Sequence, residues 1–160
     1  MLLLLFLFSL ALGAAPLSEE PDFKLQRGGC RPFWYSFNGR CYKYISTPVN
    51  WLSAELHCVS QRANLVSIHS LAEQNFVRSL IRNFDPSERP AWIGLHDVHS
   101  RGGRWSDGTA VNFRFWLPGE PNNQKGREHC VHMNWGSLKR WNDIPCGNGY
   151  AFVCATRICY

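Results

Sequence analysis

The chain has 160 residues, 45% of them hydrophobic, which is enough for one domain with a buried core and too few for two ordinary domains. Its formal charge is +5, but no nucleic-acid-binding motif accompanies that charge, so a nucleic-acid partner is not predicted. The basic residues are concentrated between Arg78 and Arg140, a pattern that suits either an anionic binding surface or an ordinary solvated face.

The first residues have the composition of a secretory signal. Residues 2–12 are almost wholly apolar, and the small residues 13–15 that follow are typical of a cleavage region. The apolar run is too short to span a bilayer, which takes about 20 apolar residues. We therefore predict a signal peptide over residues 1–15, secretion to the extracellular space and no membrane span. The alternative is an N-terminal membrane anchor, because the basic residues that usually precede the apolar run are missing.

Seven cysteines are distributed along the chain. In the oxidising environment of a secreted protein they are expected to form disulfides, and their spacing matches no zinc motif. Because seven is an odd number, at least one thiol has no partner within the chain. That thiol is either free or bonded to a second chain.

The first regular structure is predicted after a short tether. Residues 16–29 are polar and punctuated by proline and glycine, which indicates the tether. Two aromatic, β-prone runs, residues 33–37 and 41–45, are joined by Asn38-Gly39 and predict a β-hairpin. A disulfide between Cys30 and Cys41 would hold the open end of this hairpin.

Two helices are predicted next. Asn50 is a suitable N-cap for a helix over residues 51–58, and Ser70 with Glu73 forms a capping box for a second helix that ends before Asp85. Hydrophobic spacing predicts the buried residues of the first helix as Trp51, Ala54, Leu56 and Cys58. The corresponding residues of the second helix are Leu71, Phe76, Leu80 and Ile81.

The remainder is predicted to contain short strands among long loops. The predicted strands cover residues 64–68, 91–95, 128–133 and 150–154. Little regular structure is expected between Asp107 and Asp143, and a segment of that length inside a compact domain is usually functional. Trp141 within it is interpreted as a packing residue. Two helices followed by short strands indicate an α+β domain.

The order of these features resembles the C-type lectin-like domain over about residues 30–154. The motifs that carry the resemblance are the helix ending in Cys58, Trp92-Ile93-Gly94-Leu95, Trp105-Ser106-Asp107-Gly108, Glu120-Pro121-Asn122, Trp141-Asn142-Asp143 and Cys154. Small secreted fish lectins, which are related to type II antifreeze proteins, are the most similar members.

The resemblance implies one lectin domain over residues 30–160 with a long calcium- and carbohydrate-binding loop. It also implies the disulfides Cys58–Cys154 and Cys130–Cys146 beside Cys30–Cys41. Cys159 is left over as the candidate for an interchain disulfide in a homodimer.

The resemblance further implies a site for one Ca²⁺ and a sugar. The ligands of both are expected to be Glu120, Asn122, Glu128, Asn142 and Asp143. Ca²⁺ prefers carboxylate and amide oxygens, and two vicinal sugar hydroxyls can bind it while exchanging hydrogen bonds with the same side chains. In family members that hold the ion, the bond before the proline matched by Pro121 is cis. Some family members bind an auxiliary ion through several acidic residues. Asp97 matches one of these positions, but Arg101, Asn123 and His129 occupy others, so a single ion is expected.

The expected function is therefore a secreted, calcium-dependent lectin that recognises pathogen glycans in innate defence. The Glu-Pro-Asn order implies sugars with equatorial 3- and 4-hydroxyls, namely mannose, glucose, N-acetylglucosamine and fucose, rather than galactose. The alternatives are an ice-binding antifreeze protein and a calcium-independent protein ligand of the same fold. Enzymatic activity is not predicted, because the histidines at 69, 96, 99, 129 and 132 are scattered and match no catalytic motif.

Overall fold

The computed structural model describes residues 23–157. The predicted signal peptide, the first part of the predicted tether and Cys159 lie outside these residues. The described part contains the helices α1 (Trp51–Ser60) and α2 (Leu71–Phe84). Its strands are β1 (Tyr35–Phe37), β2 (Arg40–Val49), β3 (Asn64–Leu65), β4 (Ala91–His96), β5 (Arg104–Trp105), β6 (Cys130–Trp135), β7 (Arg140–Ile144) and β8 (Tyr150–Arg157). The predicted α+β class is confirmed.

All the strands described belong to one sheet in the order β1-β2-β8-β4-β6-β7, with β3 paired to β8 and β5 paired to β4. Only β4 and β8 are parallel within residues 23–157. The last two strands of this order, β6 and β7, form an antiparallel pair in which Cys130 lies opposite Ile144. Neither helix is long and apolar enough to cross a membrane.

Both predicted helix starts are confirmed. The Asn50 side chain accepts a hydrogen bond from the backbone N–H of Ser53 at 2.8 Å. The Ser70 hydroxyl accepts one from the N–H of Glu73 at 3.1 Å, and Glu73 Oε1 accepts one from the N–H of His69 at 2.7 Å. The bonds from Ser53 and Glu73 satisfy donors that the first turn of a helix leaves without partners, and the bond from His69 fixes the residue before the N-cap. Each helix therefore begins where its local sequence dictates.

The predicted buried faces of the helices are only partly correct. Ala54 and Cys58 are buried in α1, but Leu56 is exposed. Two residues of an α-helix are separated by about 200° around the axis, so Leu56 points away from the face that Ala54 presents to the sheet. In α2, Leu71 is exposed, whereas Val77 is buried beside the residues predicted correctly.

The three predicted disulfides are all present, as Cys30–Cys41, Cys58–Cys154 and Cys130–Cys146. The position of the first was predicted wrongly. Cys41 lies opposite Ser36, one residue pair away from the turn of the hairpin, and so not at its open end. The chain turns at Arg31, whose carbonyl accepts a hydrogen bond from Trp34 N–H at 3.0 Å, and this turn brings Cys30 back towards β2.

The end of the segment predicted to be a tether contacts the domain. The Phe23 ring packs edge-on against Phe37 and Phe76, with centroids 5.4 and 5.8 Å away. The carbonyl of Gln26 accepts a hydrogen bond from Ser36 N–H at 2.7 Å. Residues 23–29 are thus attached to the side of the domain formed by β1 and α2.

Trp141 is buried at the centre of the larger hydrophobic core, which confirms its prediction as a packing residue. Its ring packs edge-on against Trp105 and Phe113, and its Nε1–H donates to Gln74 Oε1 at 2.8 Å. The strand that holds it, β7, was not predicted, because Asn142 and Asp143 give it a polar composition. Of the other strand predictions, the one for β3 was too long, since β3 ends at Leu65, and the one for β6 was displaced by two residues, since β6 covers Cys130–Trp135. Those for β4 and β8 began correctly and ended too early.

Gly94 in β4 allows a close approach between backbone segments. An added Cβ would lie 2.6 Å from the carbonyl oxygen of Leu65 and 2.9 Å from Ser106 Oγ. We expect Gly94→Ala to lower the free energy of unfolding by about 1–3 kcal/mol, because the backbone around Leu65 must shift. Urea unfolding measures the change.

Gly147→Ala is the matched control, because an added Cβ there meets no atom within 4 Å. It is expected to leave the free energy of unfolding nearly unchanged. Equal stability of the two variants would contradict the proposed reason for glycine at position 94.

Candidate functional site

The five predicted ligand residues are carried by one long loop and the strand beside it. Glu120 and Asn122 lie in the loop between β5 and β6, and Glu128 lies at its end, two residues before β6 begins. Asn142 and Asp143 belong to β7. The disulfide Cys130–Cys146 joins β6 to the segment that follows β7. The two halves of the predicted site are thereby covalently connected.

The middle of the loop is attached to β7 through Trp141. The backbone N–H of Trp141 donates to the carbonyl of Phe115, and the N–H of Leu117 donates to the carbonyl of Trp141, each at 2.9 Å. Trp116 and Trp141 form an isolated parallel bridge with their rings in edge-on contact. Because Trp141 is fixed in the core, this bridge sets where the loop approaches Asn142 and Asp143.

The buried carboxylate of Asp143 holds the tip of the loop. Its Oδ1 accepts a hydrogen bond from the backbone N–H of Asn122 at 3.1 Å, and its Oδ2 accepts one from the N–H of Asn123 at 2.8 Å. His99 Nε2 lies 2.9 Å from the same Oδ2. It also lies 2.8 Å from the carbonyl oxygen of Glu128. Since both of these partners can only accept, Nε2 carries the proton.

Glu120 is in direct contact with Asp143. The Glu120-Pro121 bond is cis, and the Glu120 carboxyl also accepts from the backbone N–H of Asn122 at 3.1 Å and from its Nδ2 at 3.2 Å. Burial raises the pKa of Glu120 to about 7, and the hydrogen bond to Asp143 and that residue's charge act in the same direction. Near neutral pH the Glu120 carboxyl is therefore protonated in about half of the molecules, and in that form it can donate a hydrogen bond to Asp143.

The pKa of Asp143 is shifted the opposite way. Burial alone would raise it, but the hydrogen bond from Glu120, the backbone N–H groups of Asn123 and Asn122, and His99 together lower it below its ordinary value. An ionised carboxylate has about four acceptor positions, and these four donors occupy them. The negative charge of the site is thus concentrated on Asp143, because its pKa is lowered while that of Glu120 is raised.

Glu128 is buried and closes the other side of the loop. Its Oε1 accepts a hydrogen bond from the N–H of Gln124 at 2.7 Å, and its own N–H donates to Asn123 Oδ1 at 3.2 Å. Asn122 Oδ1 also accepts from the N–H of Gln124, at 3.2 Å. These bonds fold residues 122–128 around a short 3₁₀ turn at Gln124–Gly126. The carboxylate of Glu128 is held near those of Glu120 and Asp143.

Asn142 is linked to a histidine that the sequence did not predict as part of the site. His132 lies opposite Asn142 across β6 and β7, and Asn142 Nδ2 is 3.1 Å from His132 Nε2. Burial lowers the pKa of His132 to about 4, so the ring is neutral at physiological pH and accepts at Nε2. The ring packs against Trp135 and Tyr150, with centroids 5.0 and 4.7 Å away. This contact fixes the plane of the Asn142 amide.

The structure thus brings the predicted residues together to different degrees. Glu120, Asn122 and Asp143 are in direct contact, Glu128 is connected to them through Gln124, and Asn142 lies beside Asp143 on β7. Within residues 23–157, His, Cys, Asp and Glu side chains alone form no metal cluster of three or more. A cation held here therefore depends on the asparagine oxygens as well. An all-oxygen set of carboxylates and amides fits Ca²⁺, not the nitrogen and sulfur ligands of zinc.

His99 and His132 are the site residues that sequence reasoning missed. His99 is 44 positions away from Asp143, and no local pattern connects them. For His132 a signal existed, because it lies two residues after Cys130 on a predicted strand and opposite the Trp-Asn-Asp motif. His129, which the sequence matches only to a position of the auxiliary ion site, has an exposed side chain and lies before β6 begins.

The residues matched to the auxiliary ion site are engaged otherwise. The Asn123 side chain accepts from Glu128 N–H, as described above. The Asp97 carboxylate is exposed, with Oδ2 3.2 Å from His96 Nδ1. The His129 ring lies edge-on to His99 with centroids 6.1 Å apart. The single-ion expectation stays a prediction.

Known proteins resemble this chain in both sequence and structure. A family model described as the lectin C-type domain matches residues 47–156. Ladderlectin from Oncorhynchus mykiss is 41% identical over 143 residues, which is 89% of this chain and 75% of that protein. Lactose-binding lectin l-2 from Anguilla japonica is 41% identical over 149 residues, 90% of this chain and 88% of that protein. The type II antifreeze protein of herring has a TM-score of 0.75 and 34% identity, covering 81% of this chain and 100% of that one.

Replacing Asp143 should release the proton held by Glu120. In Asp143→Asn the neighbouring charge and its hydrogen bond are lost, and both raise the pKa of Glu120, which is about 7 in the parent protein. We expect that pKa to fall towards the ordinary range of a glutamate, although burial still opposes a complete return. Carbon-13 NMR titration of the Glu120 carboxyl in calcium-free protein measures the change.

Asp97→Asn is the control for this titration, because the exposed Asp97 carboxylate contacts His96 and not Glu120. It should leave the titration of Glu120 unchanged. An ordinary pKa for Glu120 in the parent protein would contradict the shared proton.

Proposed function

Because the chain belongs to the C-type lectin domain family, we propose that it is a secreted, calcium-dependent lectin for glycans with equatorial 3- and 4-hydroxyl groups. Mannose, glucose, N-acetylglucosamine and fucose present such hydroxyls. Recognition of glycans on pathogens is the biological role that we propose for it. The predicted signal peptide over residues 1–15 supports secretion.

The family assignment confirms the resemblance found in the sequence. The relatives are named as lectins, so the chain is a binding protein and not an enzyme, as predicted. The fold is also that of type II antifreeze proteins, as the herring protein illustrates. Fold alone does not select among the ligands that such proteins bind. The residues of the loop, and not the fold, therefore determine the ligand.

The contact between Glu120 and Asp143 is the observation that best supports a cation. Two carboxyl groups joined by a hydrogen bond, one of them with a raised pKa, mark a place where negative charge accumulates, and the charge of Glu128 adds to it. The amide oxygens of Asn122 and Asn142 complete a donor set suited to Ca²⁺. The ion would supply positive charge and coordination positions for two vicinal hydroxyls of a sugar.

The residues of the chain have separate tasks in this proposal. Glu120 must lose its proton, which leaves it and Glu128 as acceptors for the hydroxyl hydrogens of the sugar. Asn122 and Asn142 donate amide hydrogens to the hydroxyl oxygens. One amide hydrogen of Asn142 is held by His132, so the other remains for the sugar. His99 keeps Asp143 and Glu128 in place throughout.

The order of charge and amide at positions 120 and 122 supports the preference for mannose. The residues that follow, Asn123 to Lys125, include no aromatic ring on which the apolar face of galactose could stack. One relative is nevertheless named a lactose-binding lectin, and lactose contains galactose. Direct comparison of mannose with galactose therefore decides the specificity.

An ice-binding role is the second candidate, favoured by the likeness to herring type II antifreeze protein. A calcium-independent protein-binding role on the same fold is the third. Thermal hysteresis of the purified protein would distinguish the ice-binding role from sugar recognition.

Useful avidity would require more than one site in an assembly. Two hydroxyl groups are a small contact, so a single site is expected to bind sugar weakly. We infer that Cys159, the cysteine left over after the three disulfides, joins two chains into a homodimer. Two linked sites then bind a glycan surface with greater avidity.

The protein should be retained on immobilised mannose in millimolar Ca²⁺ and released by a chelator. Acid should release it as well, because protonation of Glu120 and the other carboxylates removes ligands. The Asp97→Asn variant, changed outside the proposed ligand set, should behave as the parent does. Retention that survives the chelator would contradict the proposal.

Exchanging charge and amide in the loop should change the choice of sugar. In Glu120→Gln with Asn122→Asp, the acceptor and donor positions are interchanged, so we expect the ratio of mannose to galactose affinity to fall by at least about tenfold. Titration with the two methyl glycosides measures the ratio. Unchanged selectivity with intact Ca²⁺ binding would show that other residues determine the sugar.

A further inference from the structure

We propose that two adjoining cavities beside the start of β2 and the end of β8 form a second glycan site, which binds a saccharide with a sulfate or phosphate ester without calcium. The smaller cavity has a volume of about 230 Å³ and the larger one about 700 Å³. Thr156 and Arg157 line both cavities, so one ligand can extend from the first into the second. The described residues around them include none of the five proposed calcium ligands. This second site is therefore separate from the calcium-dependent one.

The smaller cavity, named the arginine cleft, is positively charged. Arg31, Arg62 and Arg157 line it beside the disulfide Cys30–Cys41, and no aspartate or glutamate is among its described lining residues. Within residues 23–157, no carboxylate forms an ion pair with Arg31 or Arg62. A cleft lined by charges of one sign concentrates ions of the opposite sign. The arginine cleft is therefore expected to attract anions.

The Arg31 guanidinium is held in position by two contacts. It lies over the ring of Trp34, 5.0 Å from the ring centroid, and its Nη2 donates to the carbonyl of Gln61 at 2.6 Å. Trp34 is buried, so the ring under the guanidinium is fixed. An arginine side chain has five N–H donors, and the bond to Gln61 leaves most of them for a ligand. Because the side chain is already ordered, little conformational entropy is lost when an anion binds.

Arg62 has a backbone conformation in which glycine is usual. Its φ is 59°, in the left-handed region, where a side chain is strained and where helices commonly end in glycine. The Arg62 N–H donates to the Val59 carbonyl at 2.9 Å, and the Arg62 carbonyl accepts from the Thr156 hydroxyl at 3.2 Å. A positive charge suits the end of a helix, but Arg31 at the Gln61 carbonyl already supplies one. A function of the exposed Arg62 side chain accounts for the strained arginine.

The two arginines approach the cleft from different elements, Arg31 from the loop before β1 and Arg62 from the end of α1. The fork of one arginine is enough for a planar carboxylate. A tetrahedral oxyanion has oxygens directed to several sides, so it suits donors that arrive from two sides. Sulfate and phosphate esters have that shape. The cleft therefore fits such an ester better than a carboxylate.

The larger cavity has the lining of a carbohydrate site. Its polar groups include the amide of Asn64, the hydroxyls of Thr109 and Thr156 and the ring of His69. Asn64 donates one amide hydrogen to Glu55 Oε1 at 2.6 Å, which leaves its second hydrogen and its oxygen for a ligand. The volume is in the range of small-molecule sites. Sugar hydroxyls both donate and accept hydrogen bonds, so they match these groups.

The charge of Arg40 in the larger cavity is compensated. Its Nη1 lies 2.6 Å from Glu73 Oε2, and its Nη2 lies 3.7 Å from Asp107 Oδ2. No phenylalanine, tyrosine or tryptophan is among the described residues that line either cavity, so a nucleobase would have no such ring on which to stack. This lining favours a sugar ring in the larger cavity with its anionic ester in the arginine cleft.

The test is calorimetric titration of the full chain with a heparin tetrasaccharide, a sulfated probe, in calcium-free buffer. We expect binding, and we expect the chemically desulfated tetrasaccharide to bind at least about tenfold more weakly. Inorganic sulfate should also bind more weakly, because it leaves the larger cavity empty. Sulfate binding as tight as that of the tetrasaccharide would identify a site for the free ion and overturn the proposal. Absence of tetrasaccharide binding would overturn it as well.

Arg62→Gly removes one guanidinium and retains the left-handed backbone, in which glycine is not strained. We expect the affinity for the tetrasaccharide to fall at least about tenfold, because charge-assisted hydrogen bonds to the oxyanion are lost. Arg62→Lys should show a smaller fall, since it keeps the charge but not the planar fork.

Arg101→Gly is the matched control, because Arg101 is also exposed and has a φ of 56° but lines neither cavity. It should keep the affinity of the parent protein. An equal fall in the two glycine variants would show that the tetrasaccharide responds only to net charge, which would overturn the proposal.

The residues that follow Arg157 are the competing occupant of the arginine cleft. A protein that binds the tetrasaccharide only after residues 158–160 are removed would identify that segment as the occupant and overturn the proposal. Displacement of the tetrasaccharide by methyl mannoside in Ca²⁺ would assign it to the loop instead, with the same consequence. Arg62→Gly should still be retained on mannose in Ca²⁺, so failure of the second site is distinguishable from failure of the first.

Discussion

The buried carboxylate of Asp143 is the constraint on which the candidate site depends. The loop over residues 106–129 has little regular structure, so its backbone cannot position ligands by itself. Asp143 compensates by accepting the N–H groups of Asn122 and Asn123. Trp141, the preceding residue, is fixed in the core and bonded to Phe115 and Leu117. The short strand β7 therefore fixes the position of an irregular loop relative to the sheet.

The same arrangement explains why the loop suits a cation. The carboxyl group of Glu120 bonds to that of Asp143, the charge of Glu128 acts on the same group, and the raised pKa of Glu120 lets a proton relieve part of this repulsion. Histidines complete the support from two sides, with His99 donating to Asp143 and His132 accepting from Asn142.

The sequence predicted those features that local chemistry determines. The N-caps Asn50 and Ser70 were found because a cap bonds to its own first turn, and the ligand motifs because they resemble a known family. Strand β7 was not found, since its buried Asn142 and Asp143 are stabilised by partners far away in sequence. Leu56 was assigned to the core because hydrophobicity alone does not reveal that the sheet covers only one side of α1. His99 was missed for the same reason, as only the folded chain brings it to Asp143.

Calorimetric titration of the protein with Ca²⁺ in buffers of different ionisation enthalpy tests the central claim most directly. At a pH about one unit below the pKa of Glu120, which is about 7, binding of one Ca²⁺ should release close to one proton. The Asp143→Asn variant should lose most of the affinity. Absence of Ca²⁺ binding, or binding without proton release, would contradict the proposed site.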